Sequence, residues 1–76
     1  MQFKHQDDGQ QGEFFAVNEQ AQRIAEISYV WHGKDQVIAN HTWVDHSLRG
    51  QGVARQLLDV LVAFAREKNL KIIPTC

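Results

Sequence analysis

The hydrophobic repeat of this chain changes once, near residue 52, and that change limits what it can fold into. Upstream the apolar residues alternate. In IAEISYVWH, residues 24–32, Ala25, Ile27, Tyr29 and Trp31 fall on one face. Glu26, Ser28 and His32 fall on the other, with Ile24 and Val30 among them. A period of two is the mark of a strand buried on one side. Downstream, Val53, Ala54, Leu57, Leu58, Leu61, Val62 and Ala65 recur at i, i+3 and i+4. That period belongs to an amphipathic helix. Arg66 and Lys68 suit the negative pole of its dipole, and Asn69 is a stop signal.

The remaining segments read as strands and turns. MQFKH (1–5) is a short first strand and QDDGQQG (6–12) a turn. EFFAV (13–17) is a strand, and NEQAQR (18–23) and GKD (33–35) are turns. QVIANHTWVDH (36–46) carries apolar residues on both faces, which suits a strand inside a sheet. KIIPTC (71–76) is a last strand, in which Pro74 lacks the amide a ladder needs. Pairing is expected to fail or bulge there. The first four strands can meander antiparallel. The strand–helix–strand passage is long enough for a right-handed crossover that makes the last two strands parallel. The expected fold is α+β: a mostly antiparallel five-stranded sheet with one main helix on one face. At 76 residues, residues 1–76 read as one domain.

Charge and cysteine content narrow the function classes. A net charge of −1 argues against a protein that coats nucleic acid. Trp31 and Trp43 therefore read as packing residues rather than base-stacking platforms, and Phe14, Phe15 and Phe64 as core. Cys76 is the one cysteine, so no internal disulfide forms. The N-terminus lacks the apolar run of a signal peptide, and no stretch approaches the ~18 apolar residues of a membrane span. The expected location is the cytoplasm, with no membrane partner. An exposed edge on the last strand would allow pairing with a second chain.

The stretch LRGQGVARQLL, residues 48–58, sets a glycine-rich turn at the mouth of the helix. First-turn amides lack internal partners, and the dipole places positive potential there. Glycines let an anion approach. The loop is compatible with a phosphate cradle or with a tight turn bearing a solvated arginine. It is not a P-loop, because no lysine follows the glycines. Gly50-x-Gly52-x-x-Arg55 also fails the dinucleotide fingerprint.

The pattern R-x-x-G-x-A, with Arg49, Gly52 and Ala54 in place, resembles the acetyl-CoA-binding motif of the GNAT superfamily of N-acetyltransferases. The longer run HTWVDHSLRGQGVARQLLDVLVAFAREKNLKIIPTC is similar to the small, single-domain, YjdJ-type branch. The resemblance is strong over residues 36–76. Residues 1–35 agree in strand pattern and length. It implies a minimal GNAT fold that uses acetyl-CoA as co-substrate and no metal. The amides around Gly50, Gln51, Gly52, Val53 and Ala54 would hold the pyrophosphate, with Arg49 and Arg55 close by. Val44 would pair its backbone with the pantetheine arm. Larger members insert two helices between the first two strands, where this chain has only KHQDDGQQG. The acceptor side should therefore be shallow and open, suited to an amine on a protein or polyamine. Members of the branch continue past the closing cysteine.

Acetyl transfer to an amine needs a base, an oxyanion donor and a proton for the departing thiolate. Of His5, His32, His41 and His46, His41 is the best-placed base, in the strand that leads to the loop. It could equally hold that strand in register. His46 reads as a turn cap. Cys76 could carry an acetyl-cysteine intermediate or be a small apolar strand end. Tyr29, the one tyrosine, lies in the wrong strand for a general acid. The leading reading is a CoA-dependent N-acetyltransferase. The alternatives are a CoA-binding module that acts through a partner without transfer, and a structural domain whose loop binds nothing.

Overall fold

Four strands precede the helix in the computed structural model, which describes residues 1–75. They are β1 (Lys4–Asp7), β2 (Gln11–Val17), β3 (Arg23–Trp31) and β4 (Gln36–Val44). A short 3-10 turn (His46–Leu48), helix α1 (Val53–Lys68) and β5 (Lys71–Pro74) follow. The sheet order is β1-β2-β3-β4-β5. The first three pairings are antiparallel and β4–β5 is parallel. This is the expected α+β fold with a five-stranded sheet and one main helix.

The first hairpin is tighter than its composition suggests. The expected strand at 1–5 lies instead at Lys4–Asp7, and β2 starts at Gln11. Two carboxylates shorten the turn. Asp8 Oδ1 accepts from the amides of Gln10 (2.9 Å) and Gln11 (2.8 Å). Asp7 Oδ1 accepts from the Gly9 amide at 2.7 Å, and Gly9 takes φ +91°. Asx turns of this kind replace the loop amides' water with side-chain oxygen. Gln6 and Asp7 are thereby left free to pair with Glu13 and Gly12.

One face of the sheet meets α1. Phe14, Ala25, Ile27, Tyr29 and Val37 bury against Val53, Leu57 and Leu61. Each of the two leucines contributes on the order of 2 kcal/mol by burial. The helix stripe is narrower than its periodicity suggests: Val53, Leu57, Leu61 and Ala65 are buried, while Ala54 is exposed and Leu58 is 42% exposed. A lone helix on a sheet buries one face only. Asn69 ends the helix in the left-handed conformation at φ +57°, and the Leu70 amide returns to the Ala65 carbonyl at 2.8 Å. Phe15 is buried, but on the opposite face of the sheet, pairing with Glu26 and lying beneath the Arg23 guanidinium at 4.0 Å.

β4 decides where the chemistry can sit. It ends at Val44 rather than His46, because the Asp45 carboxylate caps the 3-10 turn through the Ser47 amide at 3.1 Å. The turn cap is thus Asp45 and not His46. β5 accompanies β4 only from Gln36 to Ala39. Pro74 does not break the pairing: it stands in register with Ala39. The amides of Lys71 and Thr75 both point to β4, bonding Asp35 (2.8 Å) and Ala39 (3.1 Å). Alternation turns the Pro74 nitrogen to the free edge, where no ladder bond is lost. Beyond Ala39, the half-strand Asn40–Val44 still pairs with β3 but has no strand on its β5 side among the described residues.

That half-strand also carries a bulge. Tyr29 faces Ala39 and Ser28 faces His41, so Asn40 is an extra residue on β4. Before it, Val37 faces the helix. After it, Val44 pairs with buried Ala25, and His41 and Trp43 pair with Ser28 and Glu26 on the outer face. The bulge reverses the strand's alternation and turns His41 away from the core.

Candidate functional site

The half-strand Asn40–Val44 lies between two openings. The smaller is a cavity of about 160 Å³ lined by Val44, Leu48, Arg49, Gly50, Gly52, Val53 and Ala54. Gly50 (φ +83°) and Gly52 (φ +78°) adopt conformations that L side chains resist, and a Cβ on either would enter open space. Gly52 is the N-cap of α1 and offers no side chain to its first amides. The first turn holds no acidic residue. The positive end of the dipole and the unpartnered first-turn amides therefore face an open cradle that holds Arg49 and no acidic residue. This chemistry fits a pyrophosphate.

Six of the expected cofactor residues meet there: Val44, Arg49, Gly50, Gly52, Val53 and Ala54. Arg49 Nε donates to the Val44 carbonyl at 3.4 Å. The Asp45 amide bonds Ile24 of β3 at 2.8 Å, so the Val44 amide points to the free edge. The other two stand apart. Gln51 Nε2 leans back on the Ser47 carbonyl at 3.4 Å, and Arg55 Nε pairs with Asp59 along the exposed helix at 3.1 Å.

The larger opening, about 520 Å³, lies over the outer face of the sheet. Glu13, Glu26, Ser28 and Asn40 line it, with Asp7 and Asp8 from the hairpin. His41 adjoins it, with Nε2 3.4 Å from Glu26 Oε2. The other oxygen of Glu26 lies 3.5 Å from Arg23 Nη1. Arg23 grips Glu13 with both guanidinium nitrogens, at 2.5 and 2.9 Å. The Arg23 hydrogen bond holds the Glu13 carboxyl below its ordinary range, against the opposing effect of burial. Ser28 Oγ donates to Asn40 Oδ1 at 2.9 Å, at the bulge.

Tyr29 is among the residues that border this opening, but it offers no exposed group there. It is fully buried on the helix side, and burial followed by the Asp7 bond pushes its hydroxyl well above the ordinary phenol range. His5 stacks on Phe14 with centroids 4.1 Å apart, and His46 lies in the exposed 3-10 turn. Cys76 lies outside the described residues. The Glu26–His41 and Ser28–Asn40 contacts escaped sequence reasoning, because the bulge that creates them leaves no mark in residue type. Among the described residues, no three histidine, cysteine or acidic side chains gather to hold a metal. None of the described helices is long and apolar enough to cross a membrane.

A glycine-opened helix mouth beside a half-unpaired strand, in a sheet of this order, defines an acetyltransferase-type domain. The family model for GCN5-related N-acetyltransferases matches residues 13–76, and the chain belongs to that family. It is similar to a GCN5-like candidate N-acetyltransferase of Staphylococcus aureus, at 36% identity and a TM-score of 0.74, over 99% of this chain and 70% of that one. A ribosomal-protein-alanine N-acetyltransferase from Brucella melitensis biovar Abortus 2308 shares the fold, at 23% identity and a TM-score of 0.75, over 91% of this chain and 52% of that one. Nourseothricin acetyltransferase matches at 25% identity and a TM-score of 0.67, over 84% of this chain and 38% of that one. The chain thus spans about half the Brucella enzyme and less of the nourseothricin enzyme. No functionally curated protein matches the sequence.

Proposed function

We propose that this chain binds acetyl-CoA and transfers its acetyl group to an amine. The observation that carries the reading is the uncapped helix mouth at Gly52 beside the open edge of β4. The amides of Gly50, Gly52, Val53 and Ala54 hold the pyrophosphate, with Arg49 as the flanking cation. The outward amide of Val44 receives the extended amide arm in the manner of a strand. The bound coenzyme supplies the thioester carbon that the amine attacks. His41, on the outer face, takes the proton the amine releases. The acceptor approaches over the larger opening, where carboxylates outnumber the single arginine and favour a cation. A polyamine or the amine of a flexible protein tail fits so open a surface.

A second reading has one observation in its favour: three turn residues, 8–10, stand between β1 and β2, with no helices to cover the outer face. The chain would then hold acetyl-CoA and require a partner to complete transfer. Isothermal titration with acetyl-CoA tests what both readings share. Binding is expected at or below millimolar ligand, and its absence there would reject both. Transfer to a panel of polyamines and lysine peptides then separates them.

A further inference from the structure

We infer that Glu26 is a positioning residue for His41: its carboxylate keeps the imidazole proton on Nε2 and leaves Nδ1 as the atom that receives the proton of the amine. The inference rests on the reading of His41 as the base.

The geometry is a chain of charges across three strands. Glu13 on β2 holds Arg23 at the start of β3 through two hydrogen bonds, and the face of Phe15 supports the guanidinium from below. Arg23 holds one oxygen of Glu26 at 3.5 Å, and the other oxygen is presented to His41 Nε2 at 3.4 Å. Glu26 is thus fixed from behind, with one oxygen committed to each neighbour. An ionised carboxylate only accepts hydrogen bonds, so it favours the tautomer whose proton sits on the nitrogen facing it. A neutral imidazole has one N–H, and fixing it on Nε2 makes Nδ1 the acceptor. Contacts of this length tighten when a substrate closes the site. The bulge at Asn40 is what brings the ring to this side, across from Ser28.

The transfer balances in this arrangement. The amine nitrogen forms a bond to the acetyl carbon as the carbon–sulfur bond breaks. The proton passes from nitrogen to Nδ1, and the imidazolium returns it to the departing sulfur or to solvent. Glu26 gains no proton. It faces the positive ring that forms.

The test is long-range proton–nitrogen NMR on the full chain labelled with nitrogen-15, at a pH where His41 is neutral. Wild type is expected to show a single His41 tautomer, protonated at Nε2. Glu26→Gln, whose amide can donate as well as accept, and Glu26→Ala should both show the two tautomers in exchange. A mixed ring in wild type, a proton on Nδ1, or an unchanged ring in both variants would overturn the inference. In amine transfer, both variants should lose kcat about tenfold, less than the ~10²–10⁴-fold a general base itself contributes because Glu26 acts only through His41, with the KM for acetyl-CoA unchanged. Should wild type transfer nothing while its tautomer is single, the enzymatic reading fails and the positioning of the ring by Glu26 stands.

Discussion

The Tyr29 hydroxyl donates to the Asp7 carboxylate, 2.5 Å away on the far side of β2. Trp31 Nε1 donates to the same oxygen at 2.9 Å, and His5 Nε2 lies 2.8 Å from the hydroxyl. Asp7, Gly12 and Tyr29 stand in register across three strands. The glycine between them has no side chain, and the tyrosine ring occupies that space. β1 is thereby fastened to the core through β3, a strand it does not pair with.

Gly12→Ala should be among the most damaging single changes in this protein. Its Cβ would overlap the Tyr29 hydroxyl oxygen and ring carbon. Tyr29 is fully buried and has nowhere to move. A loss of about 3 kcal/mol or more is expected from such overpacking. Gly9→Ala, at φ +91° with open space around it, should cost only about 1 kcal/mol. Urea denaturation of the two variants gives the comparison, and equal losses would reject it.

Asp7 makes stability depend on acid. Burial raises its carboxyl, but hydrogen bonds from Tyr29, the Gly9 amide and Trp31, with the charge of His5, outweigh that and hold it below its ordinary range. A folded-state pKa below the unfolded one, near 3.9, adds stability that is present above that value. The contribution disappears as pH falls through the lower, folded value. Tyr29→Phe should shrink this component and flatten the stability profile below about pH 4, while costing about 1 kcal/mol at neutral pH. Denaturation midpoints across an acid series measure both effects.

Arg23 joins packing to charge. It lies 4.0 Å over Phe15 and pairs with Glu13 through a forked contact. Both partners are partly solvated, so the pair is worth about 1 kcal/mol at most, and the ring contact adds about 0.5–1 kcal/mol. Arg23→Ala should lose roughly that sum. Arg23→Lys keeps the charge but not the planar fork, and should recover less than half. Full recovery by lysine in thermal melts would show that charge alone matters.

Gly52→Asp places a carboxylate at the open mouth of α1. The aspartate backbone carries the cost of φ +78°, about 1 kcal/mol, offset in part because an anion suits that pole. Acetyl-CoA affinity should fall roughly tenfold or more by charge repulsion and steric exclusion. Gly52→Ala carries the conformational cost of φ +78°, about 1 kcal/mol, without the charge. Titration of both variants separates geometry from electrostatics. Unchanged affinity in a folded aspartate variant would place the anion elsewhere.

The parts of the fold that follow from periodicity were readable. Ala25, Ile27 and Tyr29 are buried as their alternation requires, and Asn69 stops the helix. What was not readable depends on partners. Leu58 keeps to the helical repeat, yet it faces water because no second layer covers that side. Pro74 is harmless because of which way its nitrogen points, a property of register. The Asn40 bulge arises from the pairing of two strands, so no residue in β4 announces that His41 faces outward. The glycine loop was legible because its conformation and its chemistry share the same residues.

The order of strands in space repeats their order in the chain. Each antiparallel pairing therefore closes only a short turn, at residues 8–10, 18–22 and 32–35. β5 alone must wait for the whole helical passage to form before it can pair, and closing a longer loop costs more entropy. It then gains only a four-residue ladder, with Lys71, Ile73 and Pro74 exposed. β5 is accordingly expected to be the last strand to join and, on so short a ladder, to be released at low cost. Its breathing would widen or narrow the cleft beside β4 while the meander stays folded, so the gap proposed to receive the thioester arm is bounded by a short, late-pairing edge.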